Sequence, residues 1–141
     1  MTKRSYLGFL LCIAMIAMHG VRGVRAQVNA PAQTAAETWM ALVDQAQYAA
    51  SWQTAASGFK GALPQQRWVD AVQAARGPLG ALKQRTLKNS TAAKTLPGAP
   101  DGDYVVMQFN TTFDKKAAAL ETITVVREAD AQWRVVGYFV R

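Results

Sequence analysis

The feature that most constrains this chain is a change of hydrophobic period at "RGPLG", Arg76 to Gly80. Before it, apolar residues repeat every three or four positions. After it, they alternate. A chain with one period cannot sit comfortably in the geometry of the other, so helices precede strands and the two sets must share a core. Upstream, Trp39, Leu42, Val43 and Ala46 define one helical face. A weak break near Asp44 separates it from a second helix expected over about Tyr48 to Lys60, with Trp52 and Phe59 on one side. Pro64 suits the first turn of a third helix, on which Trp68, Val72 and Ala75 repeat until Gly77-Pro78 stops it. "TAAE", Thr34 to Glu37, has the form of a capping box and sets the expected start of the first helix.

Downstream, strands are expected over Leu79–Leu87, Tyr104–Phe113, Ala117–Glu128 and Gln132–Val140. The loop Asn89–Asp103 is rich in Pro, Gly and Asp, and the later turns, "DKK" and "EADA", are short enough for antiparallel hairpins. The prediction is an α+β domain. About three N-terminal helices pack on one face of a curved, four-stranded antiparallel meander. Strand alternation assigns Trp133, Val135, Gly137 and Phe139 to the core face of the last strand, with a bend at Gly137, and sends Tyr138 outward.

The first 26 residues read as an export signal. Lys3 and Arg4 precede the 12-residue apolar run Leu7–Met18, and "VRA" offers small residues at Val24 and Ala26. That run is too short to span about 30 Å of hydrocarbon as a helix. The expected division is a signal peptide over 1–26, a polar lead over 27–33 and one domain over 34–141. The expected location is periplasmic or secreted, with no stable membrane span after cleavage. Cleavage lowers Lys plus Arg from 16 to 12 and leaves all nine Asp and Glu, so the net charge falls from +7 to +3. Neither that charge nor an exported location fits a nucleic-acid partner.

Cleavage also removes Cys12 and His19, the one cysteine and the one histidine of the sequence. The remaining chain has no means to form a disulfide, a Cys nucleophile, a Ser-His-Asp triad or a His/Cys zinc site. No cofactor, metal or catalytic set is expected. Asp101 and Asp103 share one turn without a further run of calcium ligands. The basic group Arg67, Arg76, Lys83, Arg85, Lys88 and Lys94 has Asp70 alone nearby to offset it.

Taken in order, "WMALVDQAQYAASW", "RGPLG", "LPGAPDGDY", Glu121-Thr122 and "WRVVGY" resemble the bacterial family called domain of unknown function 4019, from about Trp39 to Tyr138. The resemblance implies a small exported bacterial protein without an assigned activity. The element order also resembles, at fold level, nuclear-transport-factor-2-like or cystatin-like cones, which hold a pocket between helices and sheet in some members. The preferred reading is a non-catalytic ligand-binding or protein-interaction module of the bacterial envelope, acting on an unidentified small molecule or envelope protein. The alternative is a cofactor-free lyase or isomerase with an acidic general base in a cone-shaped pocket.

Candidate binding residues are Glu121, Arg85, Trp39 and Trp68. If Ile123 and Val125 point inward, Glu121 does too, and a lone buried carboxylate is costly. Arg85 is its expected partner. Lys83 is expected on the same side of its strand as Arg85. An outer sheet face carrying Val106, Gln108, Thr122, Thr124, Val126, Val136 and Tyr138 is apolar enough to suggest a homodimer.

Overall fold

The computed structural model describes residues 22–141. Residues 1–21 of the signal peptide expected over 1–26, with Cys12 and His19, lie outside the described residues; its last five residues belong to a helix. Four α-helices come first: α1 Arg22–Asp44, α2 Tyr48–Gln53, α3 Ser57–Ala62 and α4 Gln65–Arg76. A 3-10 turn, Gly77–Leu79, leads to the strands β1 Leu82–Ala93, β2 Asp103–Phe113, β3 Lys116–Arg127 and β4 Trp133–Val140. The sheet order is β1-β2-β3-β4 and every pair is antiparallel. The α+β meander is therefore as expected. None of the described helices is long and apolar enough to cross a membrane.

The local differences have physical causes. The polar lead over 27–33 is not irregular; it is part of α1, which runs through Pro31. Ala32, Ala36, Met40 and Val43 form its buried stripe, and that stripe starts before Thr34. Packing thus overrides the capping signal and tolerates the missing amide of Pro31. Glu37 accepts a hydrogen bond from Gln33 at 2.8 Å rather than closing a capping box. The expected second helix is two short ones, broken at Thr54–Ala56. Ala56 N–H donates to the Val135 carbonyl at 2.8 Å and Ser57 N–H to the Glu128 carboxylate at 2.8 Å. Leaving the helix there lets α3 cover the outer edge of β4, an edge that is otherwise open to pairing. Pro64 precedes α4 as its N-cap rather than standing in its first turn.

The first strand starts later and ends later than expected. Leu79 belongs to the 3-10 turn and Ala81 to a bend. Gly80 turns the chain at φ 75°, and a Cβ there would lie 3.0 Å from Asp114 Cβ. The Leu79 and Ala81 carbonyls accept from Lys115 and Asp114, both at 2.9 Å, which ties this turn to the β2–β3 hairpin. The expected loop over 89–103 shrinks because Asn89 to Ala93 pair with β2. Irregularities at Leu82/Gln84 and Leu87/Asn89 break strict alternation in β1, so Lys83 is solvent-exposed beside Asp114 while Arg85 turns inward.

The last strand differs most. Thr124 lies opposite Gly137 and Val125 opposite Val135, so Val136 is an extra residue, a β-bulge. The bend expected at Gly137 exists, but it switches faces. Trp133 and Val135 point inward before it and Tyr138 after it, whereas Phe139 is 53% exposed on the outer face. The assignments of Tyr138 and Phe139 from alternation are thus reversed. The core lies between α1, α4 and the concave face, where Met40, Trp39 and Trp68 meet Met107, Phe109, Ile123 and Val125.

Candidate functional site

One end of the core carries a closed network of charges. Asp44 ends α1 on the same stripe as Ala36 and Met40. Arg76 ends α4 one turn after Val72, which follows Trp68 by one turn. Arg85 reaches in from β1, Thr111 from β2, Glu121 from β3 and Tyr138 from β4. Glu121 has no solvent exposure and accepts four hydrogen bonds. They come from Arg85 Nε at 2.8 Å, Arg85 Nη2 at 3.0 Å, Thr111 Oγ1 at 2.7 Å and the Tyr138 hydroxyl at 2.7 Å. The same guanidinium donates to both oxygens of Asp44 at 2.7 and 2.9 Å. Arg76 adds a bond to Asp44 at 2.8 Å and one to the Tyr138 hydroxyl at 3.4 Å, and its guanidinium lies 4.6 Å from the centre of the Phe113 ring. Two cations match two anions, which is the condition for keeping such groups out of water.

The electrostatics follow from this geometry. Burial alone would raise the Asp44 carboxyl, but hydrogen bonds and charge from Arg85, then Arg76, outweigh it and hold it below the usual carboxylate range. The Tyr138 hydroxyl is pushed up by burial first and by the Glu121 carboxylate second. The depressed Asp44 pKa has a definite pH consequence. Its stabilisation is fully present above the unfolded carboxyl pKa, ~3.9, and is lost as pH falls through the lower folded value. The stability gap between the native chain and an Asp44→Asn variant, read from urea melts, should be constant near neutral pH and close below about pH 4. A gap unchanged down to the acid limit would remove Asp44 from the ionised network.

The tryptophans pack beside this network. Trp39 and Trp68 ring centres lie 5.6 Å apart, and the Tyr138 ring lies 5.4 Å from Trp39. Trp39 Nε1 donates to the Ser51 carbonyl at 2.7 Å and Trp68 Nε1 to the Ser51 hydroxyl at 2.9 Å. Both indoles are therefore satisfied inside the protein.

An open cleft lies at the opposite end of the sheet. It has a volume of about 920 Å³ and sits between the Asn29–Ala35 stretch of α1 and the strand ends. Pro31, Ala35, Ala92, Val105 and Trp133 form its apolar wall, with Lys94, Asp103 and Arg127 contributing charge. This size and lining are those of small-molecule sites.

Residues 35–138 match the family model described as protein of unknown function (DUF4019). The chain belongs to this family. Searches among curated proteins and solved structures find no match.

In this DUF4019 protein the four sequence-derived candidates do come together. Glu121 and Arg85 are paired as expected, and Trp39 and Trp68 pack nearby with their rings tilted by 40°. Trp68, Arg85 and Glu121 do not line the cleft of about 920 Å³; Trp39 borders a small one of about 260 Å³ with Trp133 and Val135. The basic group does not act as one patch, because Arg76 and Arg85 are spent in the network. Sequence reasoning missed Asp44 and Arg76 in that network, although each continues a buried stripe at four-residue spacing. It missed Tyr138 because the bulge is invisible to strict alternation. Among the described residues no group of three or more His, Cys, Asp and Glu is arranged to hold a metal ion.

Proposed function

We propose that this protein is a non-catalytic binding module of the bacterial envelope, and that the cleft beside Trp133 is its binding site. The observation that carries this reading is the cleft itself: a concave, mostly apolar space of about 920 Å³ at the open end of an otherwise filled core. The alternative of an acid–base enzyme is not favoured by the geometry at Glu121. A general base needs a free lone pair aimed at a substrate proton. The Glu121 carboxylate is fully buried and already accepts four hydrogen bonds.

Titrating the isotopically labelled protein with neutral, cationic and anionic amphiphiles tests the reading by NMR. Shifts should concentrate at Ala35, Ala92 and the Trp133 indole. A set of probes that moves none of these signals would end the binding proposal. The envelope location rests on the tripartite leader, and intact-mass measurement of exported protein should find a chain starting at Gln27.

The outer sheet face supports pairing with a second copy. Val106, Gln108, Leu120, Thr122, Thr124, Val126 and Phe139 cover its centre without a charged side chain. An isologous contact there meets no like-charge repulsion and buries Phe139, which is otherwise 53% exposed. Light scattering should give twice the chain mass, and Phe139→Lys should halve it; a native chain that stays monomeric refutes the dimer.

A further inference from the structure

The charge pattern of the cleft narrows the chemistry of its ligand. Register places Asp103, Arg127 and Trp133 side by side on β2, β3 and β4, on the face that Val105, Val125 and Val135 also occupy. Asp103 is engaged by Lys94. Arg127 is exposed and makes no ion pair among the described residues. The three charged residues of the wall therefore sum to one unmatched positive charge.

The remainder of the wall is mainly apolar, with Asn29, Thr34 and Gln132 as its uncharged amide and hydroxyl side chains beside Tyr104. Pro31, Ala35, Ala92 and Val105 present hydrocarbon, and the β2 backbone beside them is paired on both sides, while β1 is an edge strand paired on one side only. A hydrocarbon chain fits the apolar part of this wall without needing hydrogen-bond partners of its own.

We infer that the cleft takes a monomeric amphiphile with a single carboxylate, of the fatty-acid class, with its chain against Val105 and Trp133 and its carboxylate on Arg127. A guanidinium suits this partner, since its planar fork matches the two carboxylate oxygens. The assignment rests on the cleft being the binding site and deepens that reading.

The test is a calorimetric titration of the full mature chain with dodecanoate below its micelle concentration, beside methyl dodecanoate and dodecylammonium. Dodecanoate should bind best. Arg127→Gln should weaken it roughly tenfold or more while leaving the neutral ester unaffected. Ala92→Trp, which fills the cleft, should abolish binding of both. Arg127 and Ala92 are exposed, and unchanged melting temperatures will separate these effects from unfolding. Equal affinity of native and Arg127→Gln protein for dodecanoate overturns the inference. So does a response to anionic phospholipid vesicles with none to monomeric dodecanoate. If the ester or dodecylammonium binds and dodecanoate does not, the carboxylate assignment fails and the cleft survives as a site. If no probe binds, both fall together.

Discussion

Arg85→Met should destabilise the protein by about 3–5 kcal/mol, the usual cost of breaking a buried ion pair from one side. Arg85 supplies four hydrogen bonds, two to Glu121 and two to Asp44. Its loss leaves a fully buried carboxylate on β3 and a mostly buried one at the end of α1 with much less positive charge to face. Arg85→Lys should recover little, because one ammonium cannot reach both carboxylates with paired bonds. Glu121→Gln should cost at least about 1–3 kcal/mol, since Thr111 and Tyr138 donate to different carboxylate oxygens, the amide keeps an oxygen for only one of them, and Arg85 loses an anion. The double variant Arg85→Met with Glu121→Gln should be less unstable than the two single effects added, as expected for groups in direct contact. Urea denaturation of the four proteins measures this. Additive effects, or an Arg85→Met protein as stable as the native one, would show that the network does not hold the sheet to α1.

Trp68→Ala should be comparably damaging, at about 3–5 kcal/mol, because it removes a large buried ring and leaves a cavity. Trp68 touches three other aromatic rings, those of Trp39, Phe59 and Tyr138. Its indole N–H also bonds the hydroxyl of Ser51, which has no solvent exposure. Trp68→Phe keeps most of the volume and should cost about 1–3 kcal/mol through that lost bond. Trp133→Ala, at the half-buried mouth of the cleft, should cost clearly less than Trp68→Ala and should disturb ligand binding instead. Melting curves for the three variants decide between a packed and a ligand-lining role. A Trp68→Ala protein with native stability and impaired binding would move the site from the cleft to the tryptophan cluster.

These two expectations mark the boundary between what is local and what is not. The class of the fold was legible in the sequence because it depends on period. Trp39, Val43, Trp68 and Val72 repeat as a helix does, and Val105, Met107 and Phe109 alternate as a strand does. The pairing of Arg85 with Glu121 was legible for a related reason. Alternation from Ile123 and Val125 put a carboxylate inside, and a buried carboxylate demands a cation. The ends of elements were less accessible, since α1 continues through Pro31 and β1 reaches Ala93 by virtue of neighbours far along the chain.

The tertiary structure alone decided which faces Tyr138 and Phe139 of "WRVVGYFVR" present. One bulged residue, Val136, reverses the strand after it, bringing Tyr138 onto Glu121 and leaving Phe139 in solvent. It also decided that the tryptophans pack while the open space lies elsewhere. A cleft is a volume left between elements, and its walls here come from α1, β1, β2, β3 and the start of β4. No local pattern encodes a distance between segments so far apart. Arg127 and Trp133 become neighbours only when register sets them side by side. The sequence by itself determined the composition of the core and the need for a buried counter-charge, because both follow from hydrophobic period and the cost of burying charge. Long-range packing determined where that core stops.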